Sequence, residues 1–301
     1  VTNRLLIVDR KRHARGFSWI HVVSILSTGF GYLCYLTAVI LTAWLVWNIT
    51  STELAVRSLA DQTMQAQGAW PRREQKSQLA LAEQYNQRTR NQNELSFGGD
   101  GSKGGRLDSQ YMKALNDGDG VIGVLEIPAI SFKQPIYHTT DDDALESGVG
   151  HVYGTALPTG DKGTHSALAA HTGSGDRTDF TRIRELHKGS FFYITVLGKQ
   201  MGYKVDRIEK VSPSDFKAVT DTDPNQTRVT LVTCDPPLLN TERLLVSGVR
   251  ESIPDPIPEP DTQKDVPLLV SVIVIGFIVV SLIPLIIWIM VHRVHGRHKK
   301  G

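Results

Sequence analysis

The chain has 301 residues, 41% hydrophobic and 21% charged, which is too apolar for a wholly disordered polypeptide. Two cysteines exclude a disulfide-rich scaffold. The net charge of +2 is unevenly spread: residues 1–16 hold Arg4, Arg10, Lys11, Arg12 and Arg15 against Asp9, and residues 292–301 hold Arg293, Arg297, Lys299 and Lys300. The middle of the chain is therefore acidic, which argues against nucleic-acid binding.

In chain order, a basic N-terminus (1–16) precedes a charge-free run from Phe17 to Thr52. Residues 17–47 are expected to form a transmembrane helix, since roughly 20 apolar residues suffice to cross a bilayer. The run is too long for the apolar region of a signal peptide, about 7–15 residues, and reads as a signal anchor. Residues 48–110 are expected to hold a helical segment, over 51–97, and a Gly-rich stretch. Pro71 should break that helix. A free stalk and a helix packed on the main domain both fit. Gly98–Gly105 contains five glycines and is expected to be a mobile loop. Its Gly99-Asp-Gly-Ser-Lys-Gly104 match to a dinucleotide fingerprint lacks the strand and helix that the motif needs.

From Val121 the pattern changes to short β-rich runs between turn residues. Strands are predicted at 121–127, 134–137, 166–171, 191–196, 203–211, 228–234 and 244–250. Many short strands at such spacing point to a barrel or a sandwich. Asp141–Asp143 should cap and begin a helix, and 181–187 fits another short one. Residues 251–265 carry Pro254, Pro256, Pro258 and Pro260 and read as an extended spacer. Residues 266–291 form a second uncharged run, with Pro284 inside it, and are expected to span the membrane again. Basic flanks outside both runs put both termini in the cytoplasm, by the positive-inside rule, and residues 48–265 on the outer face.

No His/Cys cluster has zinc spacing, and Asp117 and Asp119 lack a glutamate at the EF-hand distance, so neither a metal nor another cofactor is expected. Cys34 lies in the first apolar run and Cys234 in the outer segment, so neither has an intramolecular partner. A lone exported thiol is either reactive or an inert buried one. Thr230-Leu-Val-Thr-Cys234 reads as a strand ending on its cysteine, a rigid place to present a nucleophile. A thiol attacks as the thiolate and needs a base or cation nearby. The candidate base is His171, which ends the small-residue strand Ala167-Leu-Ala-Ala-His171. His165 shares its strand parity and is the competitor. His138, His151 and His187 read as surface or turn histidines. Arg243 begins the strand after Cys234 and is the candidate for stabilising a developing oxyanion.

The segment from about Tyr111 to Arg250 resembles the sortases, and most nearly the class C, pilus-assembling ones. Gly120-Val-Ile-Gly-Val-Leu-Glu-Ile-Pro128 is similar to the first barrel strand of that family. Gly148–Pro158 resembles the approach to the catalytic histidine. Thr164–His171, Thr230–Cys234 and Asn240–Leu245 resemble the histidine, cysteine and arginine motifs. The resemblance implies a closed eight-stranded β-barrel over 111–250 with short helices. It also implies a cysteine transpeptidase whose site residues are His171, Cys234 and Arg243. Its partners would be precursors with an LPXTG-like sorting signal and an acceptor amine, from a pilin lysine or a cell-wall cross-bridge. A span at each end fits the pilus type. The Asp-Pro-aromatic lid motif of class C is missing, and Asp100 and Asp108 in the corresponding stretch are the possible remnants. Asp235, next to the thiol, would disfavour the thiolate if it points inward, and Glu242 would compete for Arg243. The alternatives are a housekeeping sortase acting on the cell wall and a non-catalytic tethered barrel.

Overall fold

The computed structural model describes residues 19–90, 100–116, 118–172, 180–213, 223–236 and 239–254, with a few isolated positions besides. The chain divides into two units, residues 1–46 with 274–301, and residues 47–273. The first unit contains the start of helix α1 (Trp19–Gly68), where Phe30, Leu33, Leu36, Ile40, Leu41 and Trp44 are exposed. Among the described residues no helix is long and apolar enough to cross a membrane. The second predicted span lies, apart from two isolated positions, outside the described residues.

The second unit is built on eight strands: β1 (Val121–Ile127), β2 (Phe132–Tyr137), β3 (Val149–His151), β4 (His165–Ala169), β5 (Phe191–Val196), β6 (Lys199–Val211), β7 (Arg228–Asp235) and β8 (Glu242–Glu251). They close into a barrel in the order β1-β2-β3-β4-β7-β8-β6-β5. Closure leaves no unpaired sheet edge. The β2–β3 and β4–β7 pairs are parallel and the others antiparallel. Each strand alternates. Leu125 and Ile127, Leu168, Ile194, Leu231, Leu244 and Val246 fill the interior with Phe192 and Tyr203. Seven strands fall where the β-rich runs between turn residues predict them. The eighth, β3, has three residues inside a Gly-rich approach, too short to show a period.

The break between α1 and α2 (Arg72–Arg90) falls at Ala69–Pro71, as proline requires. These helices pack on the barrel and do not stand free as a stalk. Gln67, at the end of α1, donates to the Val121 carbonyl (3.2 Å) and accepts from the Leu197 amide (3.3 Å). Asn86 of α2 is fully buried; its side chain accepts from the Leu157 amide at 2.7 Å and donates to Thr159 Oγ1 at 3.2 Å. The same side-chain nitrogen donates to the Leu157 carbonyl at 3.3 Å, so one residue satisfies both backbone groups of Leu157.

The Gly-rich stretch differs from expectation. From Asp100 to Leu107 it is helix α3, not a loop, while Gly98 and Gly99 lie outside the described residues. This turn packs on two tyrosines: a Cβ at Gly105 would lie 3.4 Å from the Tyr111 ring and from the Tyr153 side chain. Asp108 then caps the short helix α4 (Ser109–Lys113), accepting from the Gln110 and Tyr111 amides at 3.1 Å each. It also pairs with Arg88 and accepts from the Tyr153 hydroxyl at 3.0 Å. Burial alone would raise the Asp108 carboxyl, but the Tyr111 amide, Arg88 and Tyr153 outweigh it and hold it below the usual range. Asp141 caps α5 (Asp142–Ser147), as predicted, through the Ala144 amide at 3.0 Å.

Candidate active site

Three adjacent strands, β4, β7 and β8, set the candidate residues. In register, Ala167 faces Thr230, which faces Ser247; Ala169 faces Val232, which faces Leu245. These side chains share the barrel's outer face, because their neighbours Leu168, Leu231, Leu244 and Val246 point into the core. One step further along, Cys234 faces Arg243 directly. The same step carried along β4 brings His171 to the other side of Cys234. Adjacent strands lie about 4.8 Å apart. Continued two residues past Ala169, the register makes His171, Cys234 and Arg243 the end row of one sheet face, with Cys234 one strand from each of the other two.

The ends of β4 and β7 are fastened at this row by their inward side chains. The Ala170 amide donates to the Val232 carbonyl at 3.2 Å. The Thr233 hydroxyl donates to the Ala170 carbonyl at 2.8 Å and meets the Thr172 hydroxyl. Thr233, 2% exposed, thus holds the residues on both sides of His171. The Phe180 amide returns to the His171 carbonyl at 3.0 Å. Cys234 itself is partly exposed. The Arg243 guanidinium bonds the carbonyls of Asn240 (3.2 Å) and Glu242 (3.1 Å), which fold it back over its own turn. Behind the row, Val152, Ala167, Val219, Val232 and Leu245 make an apolar patch on the outer face. Two cavities, of about 500 and about 740 Å3, lie elsewhere: neither is lined by a member of the row. Among the described residues no cluster of His, Cys, Asp and Glu is placed to hold a metal.

The competing histidine is a core residue. His165 is 3% exposed, its Nδ1 lies 2.9 Å from the Asp221 carbonyl and its Nε2 2.7 Å from the Thr230 hydroxyl. A carbonyl only accepts, so Nδ1 carries the proton and Nε2 accepts from Thr230. Burial pushes its pKa down to about 4, leaving it neutral and occupied. Two further expectations need correction. His138 and His151, read as surface histidines, are 1% and 0% exposed. The His138 ring nitrogens face the carbonyls of Ala114 (2.7 Å) and Gly120 (3.1 Å). His151 lies between the Tyr111 hydroxyl (2.7 Å) and the Ala156 carbonyl (2.9 Å), and burial lowers its pKa to about 3. Both sit beneath the α2–α4 layer, whose packing on the barrel was one of two open readings. His187 is exposed, as expected.

The two acidic neighbours separate. Glu242 is exposed, and Arg243 bonds its backbone carbonyl. Asp235 turns inward, yet it is paired, with Lys210 at 2.5 Å and Arg184 at 3.4 Å. Those two cations, and the role of Thr233, escaped the sequence. The strand alternation of Thr233 relative to Cys234 was the available signal for the second; Arg184 and Lys210 are too distant in sequence to leave one.

A family model, the sortase domain, matches residues 125–251, which contain the whole row. Among solved structures, sortase C1 of Streptococcus agalactiae is 31% identical, covers 64% of this chain and 96% of that one, and superposes with a TM-score of 0.57. Sortase C-1 of Actinomyces oris is 37% identical over 60% of this chain and 98% of that one, with a TM-score of 0.52. Among curated proteins, Sortase A of Streptococcus agalactiae is 32% identical over 136 residues, 44% of this chain and 53% of the relative. Sortase A of Bacillus anthracis is 29% identical over 140 residues, and the match spans 64% of it. The chain thus spans between half and two thirds of the length of these curated relatives. The family-model match, sequence identities of 31–37% and near-complete coverage of the solved domains agree, and the chain belongs to the sortase family of cysteine transpeptidases.

Proposed function

We propose that this protein cleaves an LPXTG-like sorting signal between Thr and Gly and transfers the acyl group to a lysine amine of a pilin, so polymerising pili. The observation that carries the reading is the row of His171, Cys234 and Arg243 on one outer sheet face. In this reading the Cys234 thiolate attacks the threonine carbonyl carbon. Arg243 leaves its turn carbonyls to hold the tetrahedral oxyanion. The C–N bond breaks, and the glycine nitrogen takes its proton from His171. A thioester remains. The acceptor amine gives a proton back to His171 and attacks, and the C–S bond breaks to regenerate the thiolate.

The pilus assignment is supported by solved neighbours that are pilus-related sortases C, such as that of Group B Streptococcus, 30% identical with a TM-score of 0.53. A two-span membrane tether with the barrel on the outer face is part of the same proposal. It rests on the charge-free runs at 17–52 and 266–291 and their basic flanks. Tethering would bring enzyme and membrane-held substrates together at high effective concentration. The test offers the acylated enzyme two acceptors, a lysine-bearing pilin segment and a cell-wall cross-bridge amine. Preference for the first supports pilus assembly; preference for the second replaces it with cell-wall anchoring.

A further inference from the structure

Asp235 is a carboxylate one residue past the thiol, and it is 3% exposed. Strand alternation sends it to the inward face, with Thr233 and Leu231, while Cys234 faces out. At the inner end of the barrel it meets Lys210 Nζ at 2.5 Å and Arg184 Nη2 at 3.4 Å. Lys210 comes from β6. Arg184 comes from the 3-10 helix Phe180–Glu185, whose first amide bonds the His171 carbonyl. Three segments therefore meet at one buried anion directly behind the nucleophile. The bond to Asp235, and then its charge, hold the Lys210 ammonium above its ordinary value.

The charge balance matters for a thiol that must ionise. A lone carboxylate beside a sulfur disfavours the thiolate, and a buried carboxylate without partners is costly. Two cations reverse the sign of the cluster. Among the described residues, the other charged or titratable groups on the strands flanking the thiol are His171 at the end of β4, and Arg243 and the exposed Glu242 on β8.

We propose that Arg184, Asp235 and Lys210 form a clamp that positions Cys234 and compensates charge behind it. Asp235 ties the segment after His171 to the strand of the thiol, and the two cations cancel its field at the sulfur. Asp235 is a positioning residue in this scheme and never touches substrate. The inference rests on Cys234 being the reactive thiol, but its test needs no sorting peptide.

The test is alkylation of the full chain by neutral iodoacetamide at pH 7, with the Cys234 peptide resolved from the Cys34 peptide by mass spectrometry. Asp235→Asn is expected to speed Cys234 alkylation roughly 2- to 5-fold, because it removes a negative charge and keeps both cations. Lys210→Met and Arg184→Gln are expected to slow it by a similar factor. The double variant Asp235→Asn/Lys210→Met should return towards the wild-type rate. A merely structural clamp would instead slow all variants together, and that result overturns the proposal. If Asp235→Asn fails to fold, the two variants at the partly exposed cations decide, and unchanged rates in both overturn it. Loss of peptide transfer with the alkylation pattern intact would count against the transpeptidase reading and leave this one standing.

Discussion

Thr233→Val removes one hydroxyl from the seam between β4 and β7 and keeps the shape of the side chain. In the folded chain that hydroxyl donates to the Ala170 carbonyl at 2.8 Å and accepts from Thr172. Ala170 is 5% exposed, so its carbonyl would lose a partner that water cannot readily replace. Leaving such a group unpaired costs about 1–3 kcal/mol. Thr172 is half-buried and can turn to solvent, which keeps the total near the middle of that range. Both bonds flank His171, so their loss frees the candidate base from its register with Cys234. About 1.4 kcal/mol spent on restoring that register is a tenfold fall in rate. The assay is the single-turnover rate of thioester formation with an LPXTG-type peptide, beside the urea midpoint of unfolding. Thr233→Val should lose about tenfold in acylation with little change in peptide affinity. Thr233→Ser, which keeps the hydroxyl, should recover most of it. Acylation at the wild-type rate in Thr233→Val, whatever happens to stability, would refute the role assigned to this seam.

Other expectations divide structure from chemistry. His171→Ala should cut acylation by about 10²-fold or more with the fold intact. His165→Ala should instead destabilise by about 2–4 kcal/mol, since it opens a cavity and strands Thr230, with the surviving folded fraction active; the reverse outcome exchanges their roles. His165 and His151 fold with pKa values near 4 and 3, below their unfolded value of about 6.5. The unfolded chain therefore binds their protons first, so stability is complete above about pH 6.5. It is lost as pH falls through about 4, at roughly 1.4 kcal/mol per pH unit for each histidine. Urea midpoints at pH 7.5 and pH 5 measure this, and a flat profile would contradict the burial of both rings. Asp108→Ala should lower stability by about 1–2 kcal/mol through the lost helix cap and leave peptide acylation unchanged. A clear gain in acylation would mean that Asp108 obstructs the site after all.

Much of the barrel is legible because β-rich runs are punctuated by turn residues. The same parity that places Leu231 and Leu244 inside places Cys234 and Arg243 outside, opposite one another. The choice of His171 over His165 is not settled by parity, since both lie on one face. It needs the depth of the Asp221 backbone and the Thr230 hydroxyl around His165, which are contacts between segments far apart in the chain. The fate of the Gly-rich stretch was hidden for a related reason. Glycine disfavours a helix on local propensity, and the Tyr153 side chain that this turn packs on lies about fifty residues further along the chain. His138 and His151 were misread because the segment of α4, through Tyr111 and Ala114, covers them, and hydropathy does not reveal which barrel face a helix will cover. Asp235 looked like a penalty for the thiol because its neighbours in sequence carry no cation; its partners arrive from β6 and from the 3-10 helix Phe180–Glu185.

The most direct measurement is the intact mass of the full chain after incubation with an LPXTG-type peptide, followed by peptide mapping. Catalysis by Cys234 predicts an adduct on that residue equal to the peptide without its glycine-side fragment, released by hydroxylamine and absent in Cys234→Ala. An equal adduct in Cys234→Ala, or none on the wild-type chain while the peptide is still being cleaved, would contradict it.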